Sequence, residues 1–556
     1  MRERLLALLP LLVLIQTASR ARANTADCGA TDVPAVVSTD ITSNTAWSGT
    51  VVLDKPIYVK NGATLTIAPG TIVRGQPRTG AGSVGLPGAL IITDSGRLIA
   101  DGSATNSIIF TTAAVDNNND GTPDDVDAPI GFRDAWAPGD QFLDDTCGTS
   151  PLAPLAANGT PNVNLWGGVV ISGHAPNNTA DGRYFIAGVP ATFANCGGDE
   201  PHDNSGRLRF VSIRHAGDEL GSSNELSGLT LCSVGDATVI SHVEVYSTFE
   251  DGFEWFGGTV NGDHLVVTFA GDDGFAFDVG YTGVNQFLFN VSPFFDTDAG
   301  NAFGTSSGDK VGEWEGDDVD QGGFDLCIRS DGNPCPFAGA DVFNLTAIGS
   351  TPDGAQESTS FDPNGANRGV QIRHCGAANL FNSVIVNTGT AEGYDADGTM
   401  PLGTACTTGH NVTDHAAAGL INLVCTTLDD VNSGSTILGT TEEVARAGGD
   451  ALSLRLGASA SSANSVNPAT FDLVNDDTTF DTVGVSGKLA PSLKATLGPI
   501  DPRLVTGGLG RPNAGCAMAG SGLDAAAVYR GAFPIGVTTL WTTDWTALNQ
   551  GGLLTD

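Results

Sequence analysis

Hydrophobic and polar positions alternate along this chain in many short runs, and each run closes with Gly, Asp or Asn. Clear examples are "TLTIAPGTIVRG" (64–75), "ALIITDSGRLIADG" (89–102), "LWGGVVISGHAP" (165–176) and "LRFVSIRHAG" (208–217). Each run predicts strands of about three to five residues that end in a turn. Runs that recur every 20 to 25 residues or so, with no helix between them, predict a solenoid.

Two consecutive runs match residue by residue when one is shifted by 22 positions. The shift carries His242 onto His264, Val243 onto Leu265, Val245 onto Val267, Asp251 onto Asp273, Phe253 onto Phe275 and Trp255 onto Phe277. In a parallel β-helix such partners stack about 4.8 Å apart along the axis. The valine and leucine pairs are therefore predicted to fill the interior, and the aromatic pairs are predicted to stack.

The predicted fold is all-β, a single-stranded right-handed parallel β-helix (solenoid) with loop insertions and a small C-terminal capping region. The predicted divisions are a signal peptide at 1–23, an N-terminal cap at 24–46, the β-helix at 47–435 with insertions at about 115–164 and 296–340, and a C-terminal region at 436–556. Short helices are predicted at 440–457 and 523–533. Trp541 and Trp545 are expected to pack back on the solenoid, whose last coil needs a cover.

The N-terminus predicts export. Basic residues at Arg2 and Arg4 precede an apolar run from Leu5 to Ile15, and "ARA" at 21–23 fits a cleavage site. This pattern is a secretory signal that is too short to span a membrane. We expect a secreted bacterial protein, extracellular or on the outer cell surface, with no transmembrane segment; lipid anchoring at Cys28 stays an open alternative.

Charge narrows the classes of partner. The chain has a formal net charge of −38 and a sequence pI of about 4.2, and cleavage of the signal would make it more negative. Such a surface repels nucleic acid and anionic membranes, and it repels polyuronates unless a divalent cation bridges. Adaptation to salty surroundings would give the same composition. We therefore expect no nucleic-acid partner, and a polysaccharide or cell-surface partner instead.

Ten cysteines in an exported chain predict disulfides. Cys327 and Cys335 bracket a short loop and form the first predicted pair. Cys406 with Cys425, and Cys147 with Cys196, are the next. No cysteines have the close spacing of a zinc or redox site.

Acidic pairs recur with the coil. Glu250-Asp251 and Asp272-Asp273 are each followed by Gly-Phe, and Asp218-Glu219 occupies the corresponding place one coil earlier. Carboxylates this close must be protonated, bond to turn amides or share a cation. Three interpretations stay open: turn residues that cap backbone amides, a Ca²⁺ site, and catalytic acids.

One loop has the oxygen order of a calcium-binding loop. In "DNNNDGTPDDVD" (116–127), oxygens at positions 1, 3 and 5 precede a glycine at position 6. The predicted Ca²⁺ ligands are Asp116, Asn118, Asp120, the carbonyl of Thr122, Asp124 and Asp127. A solvated Asp/Asn turn is the alternative.

Two histidines fall in the same repeat. His242 and His264 should stack one coil apart, with His215 nearby. A surface zinc or copper site is one interpretation, and two histidines stacked on a solvated strand face is the other.

Several motifs together are similar to a group of exported bacterial β-helix proteins, often described as surface proteins or lipoproteins. They are "LTIAPGTIVRG", "LWGGVVISG", "NELSGLTL", "EDGFEWFGGTVNGDHLVV", "AGDDGFAFDVGYTG" and "AAVYRGAF…WTTDWTAL". This resemblance covers nearly the whole mature chain. It implies a fold and a location, but it does not imply a reaction. Together with the loop at 116–127, it leads to the first function expected, a non-catalytic calcium-binding surface or matrix protein that binds glycans or partners.

The acidic repeat also resembles, in spacing, the polygalacturonases, which are β-helix glycoside hydrolases. Asp251 and Asp272-Asp273 match the family's Asp and Asp-Asp one coil apart. The resemblance implies that one carboxylic acid protonates the leaving oxygen while another activates water. The family's Gly-His-Gly has no counterpart at 290–298, and "QIRH" at 371–374 supplies Arg373 and His374 but no lysine. A polysaccharide-active enzyme is therefore the second function expected.

Overall fold

The computed structural model describes the chain from Pro34 to Leu554 in segments. The described residues are 34–78, 86–117, 137–138, 140–144, 151–152, 162–179, 181–186, 189–190, 193, 195–219, 225–293, 310–316, 339–349, 368–373, 376–386, 394–396, 421–424, 426–429, 465–466, 502, 523–534 and 537–554. The predicted signal peptide and the helix predicted at 440–457 lie outside them. In the described part of the chain, no helix is long and apolar enough to cross a membrane.

The described strands, numbered β1 to β30 along the chain, form a parallel β-helix. One wall, sheet 2, has nine parallel strands. They are β4 (Pro56–Val59), β7 (Ala89–Ile92), β10 (Val169–Ser172), β16 (Leu229–Cys232), β18 (Phe253–Phe256), β20 (Phe275–Asp278), β22 (Lys310–Glu315), β24 (Arg368–Arg373) and β27 (Tyr394–Ala396).

Sheet 1 holds seventeen described strands and bends around the rest of each coil. They are β1 (Ala35–Val37), β2 (Thr45–Trp47), β3 (Thr50–Leu53), β5 (Thr64–Ile67), β6 (Ile72–Gly75), β8 (Arg97–Asp101), β9 (Ile108–Thr112), β13 (Gly206–Arg214), β17 (Val239–Thr248), β19 (Gly262–Ala270), β21 (Val284–Val291), β23 (Gly339–Ile348), β25 (Ala377–Phe381), β26 (Val384–Val386), β28 (Asn422–Val424), β29 (Thr427–Asp429) and β30 (Ser465–Val466).

Sheet 1 turns a corner at one residue per coil. In the early coils, two separate strands, such as β8 and β9, flank the corner, and the long strand β13 pairs with both. Long strands continue to β23, which pairs with two separate strands again, β25 and β26. The corner residues have positive φ and stack in register. They are Phe210, His242, His264, Phe287, Asn344 and Asn382. A residue in the left-handed region bends the strand, and the parallel pairing continues on both sides of the bend.

The predicted coil register is confirmed. Val243 pairs with Leu265 and Val245 with Val267 between β17 and β19, and all four side chains are fully buried. On sheet 2, Phe253 lies 5.7 Å from Phe275 between ring centroids, and Trp255 lies 5.1 Å from Phe277. This aromatic column continues at Trp314, 5.2 Å from Phe277.

The solenoid extends beyond its predicted boundaries. β1 and β2 already pair in parallel with β3 and β5, although they lie in the segment predicted as a cap. The segment predicted as an insertion at 296–340 contains β22, whose Trp314 pairs with Phe277 of β20. The alternation in "KVGEWE" is a strand pattern that the acidic residues on its outer face obscure. The other predicted insertion, 115–164, contains no named strand in the part that the structure describes.

The C-terminal tail (523–534 and 537–554) packs along the corner of sheet 1. The helix predicted at 523–533 is wrong: the segment forms a local turn, and the amides that follow it bond the solenoid. The Gly531 amide donates to the Asn382 carbonyl at 2.8 Å, and the Ala532 amide donates to the Thr346 hydroxyl at 2.8 Å. The helix described in the tail is the single turn α1 (Ala547–Gln550), whose N-cap is Thr546.

Two short antiparallel hairpins are inserted between strands of the solenoid. One joins β11 (Tyr184–Phe185) to β12 (Asn195–Cys196), and the other joins β14 (Asp218–Glu219) to β15 (Glu225–Leu226). A disulfide links Cys196 of the first hairpin to Cys232 on the outside of sheet 2. The predicted pairing of Cys196 with Cys147 is therefore wrong: the hairpin folds back on the sheet, a contact that sequence spacing does not reveal. Cys147, Cys327, Cys335, Cys406 and Cys425 lie outside the described residues.

Candidate functional site

Three carboxylates meet in the turns that lead into sheet 2. Asp251 precedes β18, and Asp272 and Asp273 precede β20, so the coil repeat places them on neighbouring turns. Their carboxylate oxygens lie within 4.8 Å of one another. The Asp273 amide donates to the Asp251 carboxylate at 2.9 Å. The repeated acidic motif therefore caps a turn amide of the next coil and also forms a cluster, which we call the acidic cluster.

The structure explains why glycine and phenylalanine follow each acidic pair of the repeated motif. A Cβ at Gly252 would meet the Val267 side chain at 2.5 Å and the Gly274 carbonyl at 2.6 Å. A Cβ at Gly274 would meet the Val311 carbonyl at 2.6 Å. Only glycine fits where the turn passes this close to the next coil. The phenylalanine after each glycine then enters the aromatic column inside the solenoid.

The acidic cluster holds more negative charge than its surroundings can solvate. Burial raises the pKa of Asp251 well above its usual range, and the nearby carboxylates of Glu254, Asp272 and Asp273 raise it further. Glu254 lies on the outer side of β18 and accepts a hydrogen bond from the Ser227 hydroxyl at 2.8 Å. Close like charges favour protonation or a shared cation.

The structure brings Lys310, which sequence reasoning missed, to this cluster, and it places Arg373 of the "QIRH" segment beside it. The Lys310 ammonium lies 3.8 Å from an Asp273 carboxylate oxygen and 2.7 Å from Glu313. Arg373 pairs with Glu313 at 2.6 Å and also with Glu315. Burial alone would raise the pKa of Glu313, but Lys310 and Arg373 outweigh burial and hold it below its ordinary value. Reading "KVGEWE" as the strand after "FAFD" would have placed Lys310 here.

The sequence predicted that the third acidic pair, Asp218-Glu219, would line up with the cluster, and this prediction is wrong. The Asp218 carboxylate pairs with the Arg78 guanidinium, and both side chains are largely buried. The hairpin of β14 and β15 turns this segment away from the coil path. The aligned acidic residues are therefore limited to those of the acidic cluster, Asp251, Asp272 and Asp273.

The outer face of sheet 2 changes character along the solenoid. Near the N-terminal end it is apolar, with Tyr58, Ile91 and Val170, and the hairpin of β11 and β12 packs over it. Further along, the partly exposed positions are Phe256, which stacks on Tyr184 of the hairpin at 4.6 Å, and Glu254, Ala276, Asp278, Glu313 and Arg373. We call the last five residues the carboxylate face. It lies directly beside the acidic cluster.

We expect Asp251→Asn to remove part of the pH dependence of the free energy of unfolding. Because the folded-state pKa of Asp251 is raised, the wild type gains stability from this group at low pH and loses it as pH rises through that pKa. In chelator, the variant should therefore become more stable than the wild type as pH rises from 4 to 8. Urea unfolding across that range measures the difference.

The matched control for this experiment is Asp54→Asn. Asp54 is exposed beside β4, four strands from β18 in the order of sheet 2. The effect of Asp251→Asn is read as the difference between the two variants over the same pH range. Parallel curves for the wild type and Asp251→Asn would contradict the raised pKa.

The predicted calcium loop at 116–127 falls mostly outside the described residues. Asp116 is buried, and its amide donates to the Gln141 carbonyl at 3.0 Å. Asn118, Asp120, Thr122, Asp124 and Asp127 lie outside the described part. The predicted Ca²⁺ ligand set stays a prediction.

The histidines stack as predicted, but not on a solvated face. The rings of His242 and His264 lie 4.3 Å apart and within 14° of parallel, and Trp541 of the tail lies 4.8 Å from His264. Burial, and next the His264 ring, lower the pKa of His242 to about 4. One ligand atom of each of His242, Asp263 and His264 lies within 4.8 Å of the others. The lone pairs of two near-parallel rings nevertheless point side by side rather than at one ion, and His264 Nδ1 pairs with Asp263 at 2.8 Å. His215 lies apart, buried against Tyr246.

Comparisons with known proteins agree with the fold. A family model described as a pectate-lyase-like β-helix domain matches residues 147–465, more than half of the chain. No curated protein matches the chain. The receptor-binding protein of bacteriophage Det7, a podoviral tailspike in a myovirus, is similar at 11% identity over 73% of this chain and 71% of that chain, with a TM-score of 0.14. A TM-score this low gives that likeness no weight.

Proposed function

Because this chain belongs to the pectate-lyase-like β-helix family, we propose that it is a secreted or cell-surface β-helix protein that binds calcium and a polysaccharide. The observation that carries the proposal is the carboxylate face beside the acidic cluster. Sugars bind proteins through hydrogen bonds from their hydroxyl groups, and carboxylates are strong acceptors for such bonds. A flat parallel sheet presents these acceptors in rows that a glycan chain can follow.

The covered and open parts of sheet 2 favour one location for the glycan. The hairpin of β11 and β12 buries the apolar half of the outer face, so that half is part of the core. The carboxylate face keeps partly exposed side chains on three consecutive strands, β18, β20 and β22. A binding site for a polymer needs this kind of extended, repeated surface.

Calcium has two proposed positions. The first is the loop at 116–127, whose sequence supplies the oxygen ligands that Ca²⁺ prefers. The second is the acidic cluster, where a cation would neutralise carboxylates that lie within 4.8 Å of one another. Asp251, Asp272 and Asp273 would hold it, and the fit is supported by the raised pKa of Asp251.

We expect removal of calcium to lower stability. A ligand present at a hundred times its dissociation constant stabilises the folded state by about 2.7 kcal/mol. Thermal unfolding in chelator should therefore occur at a lower temperature than in millimolar Ca²⁺. If the loop binds the ion, Asp116→Ala combined with Asp120→Ala should reduce the difference in unfolding temperature between the two buffers. If the acidic cluster binds it, Asp272→Asn should reduce that difference. Identical unfolding temperatures in both buffers would contradict the proposal that the protein binds calcium.

A second candidate function is an enzyme that cleaves the polysaccharide in the manner of an inverting glycoside hydrolase. The specific observation in its favour is Asp251, whose pKa is raised by burial beside the carboxylates of Asp272 and Asp273. A carboxylic acid whose environment raises its pKa is suited to the role of general acid. Asp251 would protonate the leaving oxygen, and Asp272 or Asp273 would activate water.

A glycan panel tests both functions in one experiment. Wild type, Asp272→Asn and the control Asp54→Asn are titrated with neutral and acidic oligosaccharides, with Ca²⁺ present, and the mixtures are assayed for new reducing ends. Binding without cleavage supports the binding function. Cleavage by wild type and Asp54→Asn, but not by folded Asp272→Asn, replaces it with the enzyme. No binding to any glycan rejects both.

A further inference from the structure

We propose that the C-terminal tail is an acid-released strap, which leaves the corner of sheet 1 when His242 takes up a proton. His242 is the corner residue of β17. The tail covers it with Trp541 and Trp545, whose rings lie 6.3 Å and 5.9 Å from the His242 ring. The acidic cluster and the carboxylate face belong to sheet 2 and the turns before it, so this device is separate from both.

Aromatic rings enclose the imidazole of His242. The Phe210 ring lies 4.4 Å away in the coil before, and the His264 ring lies 4.3 Å away in the coil after, within 14° of parallel. Trp541 and Trp545 close the side that the tail covers. A proton on His242 would place a charge against rings that cannot replace its hydration shell, face to face with a second histidine. The docked tail therefore favours neutral His242.

The charged groups of the neighbouring strands do not relieve this cost. Arg209 of β13 and His264 of β19 oppose a charge on His242, and Asp263 of β19 is the acid that favours it. Asp263 pairs with Nδ1 of His264 at 2.8 Å. Nδ1 of His242 instead bonds the Ser241 hydroxyl at 2.9 Å, and that hydroxyl also reaches Asp263 at 3.2 Å. Burial, and next the His264 ring, thus hold the pKa of His242 at about 4.

Two further acids lie where the tail meets the corner. Asp544, in the chain between the two tryptophans, has an exposed side chain. Glu244 of β17 is buried and accepts a hydrogen bond from the Ala547 amide of the tail at 2.7 Å. Burial raises the pKa of Glu244, although the nearby Arg214 opposes the rise. Because Glu244 also titrates under the tail, its response has to be separated from that of His242.

Undocking exposes His242 to water, and this sets the direction of the pH dependence. Under the tail the pKa of His242 is about 4, whereas a histidine in water has a pKa of about 6.5. A depressed pKa stabilises docking above the exposed value, and this contribution is lost as pH falls through the window between the two values. Within that window the docking equilibrium should weaken by up to about tenfold for each pH unit. Release uncovers the side of sheet 1 where Phe289 meets Phe533 of the tail.

The corner itself shows which residues can replace His242. Phe210 one coil before and Phe287 two coils after hold the same position with positive φ. Asn344 and Asn382 hold it further along. His242→Phe therefore keeps a ring at the corner and removes the titratable group, and His242→Asn removes both.

Hydrogen exchange of the tail amides, corrected for the intrinsic effect of pH on exchange, measures docking from pH 7 to pH 4. In the wild type, protection of the Ala547 amide should fall at least about tenfold, beyond any change at Val267 in the coil. In His242→Phe the fall should be at least about threefold smaller. The control is His202→Gln, because His202 is 80% exposed and pairs with Asp236; this variant should follow the wild type.

Each outcome decides the proposal. Wild-type protection that stays constant over this pH range overturns it. An equal fall in wild type and His242→Phe also overturns it, and assigns the acid response to Glu244, which both retain. If exchange at Val267 shows that His242→Phe has not folded, His242→Asn replaces it and is judged by the same criterion. A fall that the His242 variant loses and His202→Gln keeps supports the strap.

Discussion

Replacing Trp545 with alanine should lower the free energy of unfolding by about 3–5 kcal/mol, the usual loss for a buried tryptophan. Trp545 is fully buried, and its ring lies 5.9 Å from both Phe210 and His242 at the corner of sheet 1. Its indole N–H donates to the Trp541 carbonyl at 2.8 Å. Truncation would leave a cavity between the tail and the solenoid and would free that carbonyl.

Most of the lost free energy of unfolding should come from weaker docking of the tail on the solenoid. α1 begins on a buried carboxylate, because the Ala547 amide donates to Glu244 at 2.7 Å. Arg214, on the neighbouring strand, bonds Gln550 at the other end of α1 at 2.7 Å. Without Trp545, these polar contacts would be opened to water, and the tail of the variant should be cut by protease before the coils unfold.

Denaturant unfolding with limited proteolysis measures this effect. Val528→Ala is the matched control, since Val528 lies in the same tail but is 45% exposed, and it should change stability by less than about 0.5 kcal/mol. If Trp545→Ala costs no more than Val528→Ala, the tail does not stabilise the solenoid.

Removing the disulfide by Cys196→Ala with Cys232→Ala should lower the free energy of unfolding by about 3–4 kcal/mol. The bond closes a sequence separation of 36 residues, and its loss lets the unfolded chain explore more conformations. Both cysteines are fully buried among the apolar residues beneath the hairpin of β11 and β12. The hairpin should consequently be the first part of the variant to exchange its amides.

Reductant provides the control for the disulfide. Wild type in reductant should unfold at the same denaturant concentration as the double alanine variant, and the variant should not respond to reductant. Equal stability of oxidised wild type and variant would show that the bond contributes nothing to the fold.

Much of the solenoid could be predicted from the sequence because its contacts are short in sequence. Val243 meets Leu265, and Phe253 meets Phe275, one coil later, so a repeat in the letters is directly a repeat in space. The same repeat places Asp251 beside Asp272 and Asp273. The prediction failed where the repeat is interrupted: β22 comes after a long connection from β21, and its register with β20 cannot be counted from sequence.

The partners of the site came only from tertiary structure. Lys310 reaches Asp273, and Arg373 reaches Glu313, across strands whose connections have no fixed length, and Arg373 lies 60 residues from Glu313. Cys196 finds Cys232 because the hairpin folds over an apolar patch. The helix predicted at 523–533 does not form, and the Gly531 and Ala532 amides of that segment bond the solenoid; the helical turn described in the tail lies at Ala547–Gln550.

By itself the sequence determined the class of fold, the coil repeat, the inward aromatic column and the acidic repeat. These depend on alternation and on spacing within one coil, and both are fixed by strand geometry. Tertiary structure alone decided which charges neutralise the acidic cluster, which half of sheet 2 is covered, and where the tail lies. Those features depend on how distant segments dock, and docking is set by the apolar surfaces and unpaired polar groups that remain after the coils have stacked.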